Sequence, residues 1–379
     1  MTRAYLDHAS STPLRPAAAE AMAPWLSTPG DPGRVHAEGR VARFALEEAR
    51  AQVAAFFGAR PREVLFTSGG TEAVNTAVFG ATSAAAADGA VPAHVVAAAV
   101  EHSAVLESAQ RAGNVTLVGV DRLGRVDPGA VAAALRPETA LVCVQAANHE
   151  VGTIQPVAGV AEVCRTRGVR LHVDACAAAG HVPLDFAGLG ADLVSVSAHK
   201  LGGPRGVGAL LVRRGLRLPP LLLGGAQERA RRAGLENVAA AVGFAAACAE
   251  LAGGGLEVEA KLARELTDRV LSVAPTAVTG VSIFGDPLDR LPYLVCLGVD
   301  GVEAEPVLLG LDQRGVAVHS GSSCSSETFE PSPVLQAMGV DADHSLRVSV
   351  GWSSTAGDVD AFLAALPDVV GRLRALAGS

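Results

Sequence analysis

The 379-residue chain has almost no lysine. Of its 31 basic residues only Lys200 and Lys261 are lysines, and the rest are arginines. It has no basic run, and a formal charge of −8 is spread along its length, which argues against a nucleic-acid footprint. No apolar signal core follows Met1, so no export is expected. The longest apolar stretch, Val238 to Ala249, is too short and too rich in alanine to span a bilayer. The cysteines (Cys143, Cys164, Cys176, Cys248, Cys296 and Cys324) form no CxxC pair and show no metal-ligand spacing. All but Cys324 lie in apolar runs and are expected to be buried, reduced packing residues. There is no internal repeat and no low-complexity linker. With 49% hydrophobic and 18% charged residues the chain is not a candidate for disorder. A soluble, cytoplasmic protein is expected, with two packed domains or one large domain and an appendage.

What is present is alternation. Short apolar runs are each followed by a helical pattern: Glu63–Ser68 then Glu72–Phe79, Val95–Val100 then Ser103–Ala112, Val115–Val120 then Ala130–Leu135, and Leu141–Gln145 then Val157–Arg165. Leu171–Val173, Leu193–Val196 and Gly208–Val212 complete the series. The pattern predicts an α/β fold, a mainly parallel sheet covered by helices. Ligands of such sheets bind at the carboxyl ends of the strands. Two more helices are expected over Glu236–Leu251 and Glu257–Val273. Beyond them, strands over Tyr293–Val299, Val316–His319 and Leu346–Val350, with helices near 303–312 and 357–376, predict a smaller C-terminal α/β domain. The expected division is a large domain over 15–255 and a small one over 1–14 and 256–379, the N-terminal residues folding back.

The strand ends carry the chemistry. In a chain that uses arginine wherever charge suffices, a retained lysine points to work guanidinium does not do, such as acting as an amine nucleophile. Lys261 lies on a charged amphipathic helix with Glu257 four residues earlier and reads as a solvated ion pair. Lys200 ends the strand that closes in Ser197-Ala198-His199-Lys200, and Asp174 ends the strand Val169–Asp174. As a pair they suggest pyridoxal phosphate: the lysine forms a Schiff base, and the carboxylate keeps the pyridine nitrogen protonated so that the ring accepts electrons. Ser68-Gly69-Gly70-Thr71 follows a strand and opens a helix, offering backbone N–H groups and a hydroxyl to a phosphate. His102 is placed to stack on the ring and shuttle protons. Cys324 alone sits among serines and glycine, in His319–Glu327. A mobile loop with an exposed thiol is expected there, and an exposed thiol is an oxidation liability whose presence points to a nucleophile.

These residues fall in motifs that resemble those of the pyridoxal-phosphate-dependent cysteine desulfurases, of the class serving iron–sulfur cluster and nitrogenase assembly. That resemblance implies fold type I of the aminotransferase superfamily. It runs nearly end to end, through Tyr5–Ala9, Phe66–Glu72, Glu101–Val105, Glu150–Gly152, His172–Ala175, Ser197–Lys200, Gly202–Pro204, Gly224–Arg229, Ser320–Cys324 and Glu330–Leu335. The resemblance implies a homodimer with its site at the subunit interface. It makes Lys200 the lysine bonded to the cofactor, Asp174 the partner of the ring nitrogen and His102 the stacking acid or base. Gly70, Thr71, Ser197 and His199 become phosphate ligands, Arg347 the clamp on the substrate carboxylate, and Cys324 the persulfide carrier.

The implied reaction converts L-cysteine to L-alanine and passes sulfur to an acceptor protein, with Lys200 or His102 removing the α-proton. The chain departs from the family pattern at four positions. His149 stands where an asparagine meets the phenolic oxygen of the cofactor, and Ala177 where a glutamine does so. Leu235 replaces a phosphate-binding threonine given by the partner subunit, and Asp31 replaces an asparagine near the substrate carboxylate. An imidazole at 149 is expected to fill the space left at 177, and Arg34 or Arg347 to neutralise Asp31. The rival readings are a selenocysteine lyase, an aminotransferase-like enzyme, and a weakly active sulfur-relay or scaffold protein.

Overall fold

Residues 3–87, 89, 93–320 and 331–377 are described by a computed structural model. Cys324 lies outside the described residues. The strands are β1 Ala4–Tyr5, β2 Val64–Thr67, β3 His94–Ala98, β4 Asn114–Val118, β5 Thr139–Gln145, β6 Arg170–Asp174, β7 Leu193–Ser197, β8 Gly208–Val212, β9 Val281–Phe284, β10 Leu294–Val299, β11 Val316–Ala317 and β12 Ser345–Ser349.

The central sheet has the order β2-β8-β7-β6-β5-β3-β4. From β7 to β4 every pairing is parallel, and β8 runs antiparallel to both neighbours. The inner strands are continuous apolar runs because both faces are covered. Alternate residues divide between the faces. Val95, Ala97, Leu141 and Cys143 pack against Ala73, Ala77 and Ala81 of the helix Gly70–Ala87. Val96, Val142, Val144 and Val173 face a second core with Phe57 and Phe244.

A separate antiparallel sheet has the order β12-β10-β9, and its core gathers Leu266, Leu294, Leu297, Val348 and Phe362. The N-terminal residues join it: β1 pairs with β11, Asp7 bridges to Ser349, and Leu6 is fully buried in that core.

Several features differ from the sequence expectation. A 20-residue helix, Ala37–Phe56, was not expected, because its buried side (Ala42, Leu46, Ala49, Val53) is small and interleaved with Arg and Glu. The expected strand to His319 stops at Ala317, and His319 instead bridges to Arg347. Cys176, expected to be a buried packing residue, is only half-buried and borders the cavity described next. Among the described residues no single helix is long and apolar enough to cross a membrane.

Candidate active site

The carboxyl ends of β5, β6 and β7 meet the N-terminus of the helix Gly70–Ala87 around a cavity of about 300 Å³. Its walls bring together Gly70, Thr71, His102, His149, Asp174, Ser197, His199, Lys200 and Arg347. These are all of the site residues expected from sequence except Cys324.

Lys200 closes a 3₁₀ turn, Ala198–Lys200, directly after β7. Its Nζ donates to the carbonyl of Ala9, which also borders the cavity. Asp174 is the last residue of β6 and is 9% exposed, and its Oδ1 accepts the N–H of Cys176 at 3.0 Å. Ser197 Oγ and His199 Nδ1 are 2.8 Å apart. Burial, helped by the Lys200 charge, pushes the His199 imidazole down to about 4, so it is neutral near pH 7. Position 70 is tightly packed: a Cβ there would lie 2.5 Å from Cys176 Sγ, which would have to move. With glycine there, the helix presents bare backbone at its positive end.

His102 is both cavity wall and helix cap. Its Nδ1 accepts the Ala104 N–H at 3.0 Å, so the neutral ring carries its proton on Nε2. The His149 ring meets it edge-on, with centroids 5.1 Å apart. Arg347, at the middle of β12, is 1% exposed. Its guanidinium donates to the His149 carbonyl at 3.1 Å, to Asp7 Oδ1 at 3.0 Å and to Ser10 Oγ at 2.7 Å.

Sequence reasoning missed four residues here. Gln145 ends β5, so the strand-end rule applied to it as much as to Asp174. Ser10 sits next to a motif that was noticed, and Cys176 two residues beyond Asp174. Glu101 opens the motif Glu101–Val105 but had no role assigned to it. Its Oε1 accepts the Gln145 N–H at 2.6 Å, and its Oε2 is buried without a partner. Burial, reinforced by the Asp174 charge, raises its carboxyl to about 8.

A carboxyl raised from 4.5 to about 8 keeps its proton in the folded chain where the unfolded chain has lost it. Its contribution to stability is complete below about pH 4.5 and disappears as the pH rises through 8. Glu101→Gln removes that titration. Urea unfolding of the cofactor-free variant is expected to lose less stability between pH 5 and 8 than the wild type does, and equal slopes would contradict the burial argument.

At the departures from the family pattern, Asp31 pairs with Arg34 at 3.0 Å and accepts the Gly33 N–H at 2.8 Å, whereas Arg347 is paired with Asp7. Leu235 is 63% exposed. Ala177 borders the cavity, and its carbonyl accepts the Tyr293 hydroxyl at 3.0 Å.

The donor set fits pyridoxal phosphate. It provides an amine at Lys200 and a buried carboxylate at Asp174. For a phosphate it provides a side-chain-free helix N-terminus at Gly70 beside hydroxyl and imidazole groups. Fold and cavity together define a pyridoxal-phosphate enzyme of fold type I. The aminotransferase class-V family matches residues 4–362. A cysteine desulfurase IscS of Dictyoglomus turgidum is 40% identical over 380 residues, 98% of this chain and 95% of the relative. A cysteine desulfurase of Cereibacter sphaeroides is 43% identical over 387 residues, 99% and 98% of the two chains. Among solved structures, a NifS-like protein has a TM-score of 0.91 at 30% identity, over 98% of this chain and 100% of that one. The chain belongs to the aminotransferase class-V family and, within it, to the cysteine desulfurases.

Proposed function

We propose that this chain takes sulfur from L-cysteine, releases L-alanine, and carries the sulfur as a persulfide on Cys324 to an acceptor protein. The observation that carries this reading is the convergence of Lys200, Asp174 and Arg347 on one cavity. In this reading residues 15–255 hold the cofactor, and residues 1–14 with 256–379 bring Arg347 and Cys324 to it. A cytoplasmic homodimer is proposed as the working form. Exposed Val41, Phe44, Leu223 and Leu235 support it, as apolar surface that a second copy would cover.

Bound pyridoxal phosphate supplies a sink for negative charge at the substrate α-carbon. Lys200 Nζ would bond to it, and Asp174 would hold a proton on the ring nitrogen. Gly70, Thr71, Ser197 and His199 would hold the phosphate. His149 would make the hydrogen bond to the phenolic oxygen that an asparagine makes in the family pattern. Arg347 would receive the substrate carboxylate. Its guanidinium is fixed beforehand by Ser10, Asp7 and the His149 carbonyl, so little orientation is lost on binding.

Proton handling divides by tautomer. The Nδ1 of His102 is occupied by a backbone N–H, and the proton sits on Nε2. The ring is therefore set to stack and to donate, and Lys200 is left to take the α-proton. The Cys324 thiolate attacks the substrate sulfur. An S–S bond forms as the Cβ–S bond breaks, and the electron pair stays on carbon, which takes a proton to become the methyl group of alanine. The exchange is redox-neutral.

Incubation with L-cysteine and dithiothreitol is expected to yield L-alanine and sulfide in equal amounts, read by amino-acid analysis and sulfide assay. Pyruvate or another keto acid in place of alanine would contradict the proposal and mark an aminotransferase or lyase reaction.

A further inference from the structure

Behind Lys200, away from the cavity, His181 makes two contacts that the mechanism does not use. Its Nε2 lies 3.0 Å from the Lys200 carbonyl oxygen, and its ring stacks on Tyr293 with centroids 3.7 Å apart and planes inclined by 19°. A carbonyl only accepts, so His181 donates. Burial pushes its imidazole down to about 3, which keeps the ring neutral and the donor in place.

Tyr293 borders the other sheet. It immediately precedes β10, and its carbonyl accepts the N–H of Val350 at 2.9 Å, next to the end of β12. Its hydroxyl donates to Ala177 in the cavity wall. We infer that His181 is a positioning residue that ties the main chain at Lys200, through Tyr293, to the strand pair carrying Arg347, so that the amine and the substrate clamp keep a fixed separation. The inference rests on the reading that Lys200 bonds the cofactor.

The same stretch of main chain is anchored a second time. Thr12 Oγ1 donates to the Lys200 carbonyl at 3.2 Å, and Arg15 Nε donates to the Leu201 carbonyl at 2.8 Å. Arg15 in turn makes a two-pronged ion pair with Glu259, 2.7 Å on each side, from the helix Gly255–Ala277. The space between these groups is about 20 Å³, room for roughly one water and not for a ligand. Holding the chain is therefore the work left to these side chains.

The test uses protein loaded with pyridoxal phosphate. Borohydride trapping at Lys200 in the wild type checks the underlying reading, and failure there overturns both. With trapping intact, His181→Phe keeps the ring and removes the donor. It is expected to shift the pH midpoint of the visible absorption of the lysine-bound cofactor by about half a unit or more. The same variant is expected to weaken the spectral titration with L-alanine about fivefold, an order-of-magnitude figure for one lost anchoring hydrogen bond. His181→Gln, which keeps a donor, is expected to bring the midpoint back toward wild type. Tyr293→Leu is expected to shift the midpoint too, and the double variant with His181→Phe to shift it no further than the larger single change. An unchanged midpoint in His181→Phe, or shifts that add in the double variant, would overturn the tie and leave His181 a packing residue. The midpoint is read from whatever folded protein is recovered, so a fall in thermal stability alone does not imitate the expected result.

Discussion

Lys200→Arg is expected to abolish alanine release from L-cysteine, with a loss of about 10⁴-fold or more, as for other residues that form a covalent intermediate. The charge is preserved, and the 3₁₀ turn holding the residue depends on main-chain contacts at 198–203, so the variant is expected to fold. What is lost is the free electron pair on nitrogen, because guanidinium stays protonated at any working pH. The protein should therefore carry no reducible bond to pyridoxal phosphate, read by borohydride treatment and peptide mass. Lys261→Arg is the matched control. Lys261 is exposed on the helix Gly255–Ala277, outside the cavity, and its replacement should leave both readouts unchanged.

Cys324→Ser is expected to be nearly as severe, about 10³-fold or more in alanine release, but to fail at a different point. The cavity residues are untouched, so cofactor and L-cysteine should still bind and the visible spectrum should still respond to substrate. A serine hydroxyl is not ionised near neutral pH and forms no stable bond of the persulfide kind, so sulfur should stay on the substrate. No other thiol is suited to replace it. Burial raises Cys143, Cys164 (to about 12), Cys248 and Cys296 above their ordinary range. Cys176, beside the cavity, is raised by burial and then by the Asp174 carboxylate. Thiols held protonated in this way are poor nucleophiles. Turnover retained in Cys324→Ser would mean that sulfur leaves by another route.

The large sheet and much of its binding edge were legible in the sequence, because both are local patterns. A parallel strand covered on two faces reads as an unbroken apolar run, and the polar residue that ends it, Asp174 or the Ser197-Ala198-His199-Lys200 segment, is conspicuous. The scarcity of lysine sharpened the choice of Lys200. The helix Ala37–Phe56 was missed because half of its buried face is alanine and Arg50 interrupts it, which weakens the periodic signal. Glu101 and His181 were missed for a different reason. Their roles come from what is absent around one carboxylate oxygen and from a ring supplied by Tyr293, and both are facts of tertiary packing. Cys176 shows the same limit: its alanine-rich neighbours suggest a core residue, yet tertiary packing leaves it half-buried at the cavity wall, beside Gly70.

The most direct measurement is the mass of the peptide containing Cys324 after the loaded enzyme meets L-cysteine without reductant. The account predicts that this peptide gains one sulfur atom as one L-alanine appears per subunit. Alanine appearing while this peptide stays unchanged, or sulfur found on any other cysteine, would contradict it.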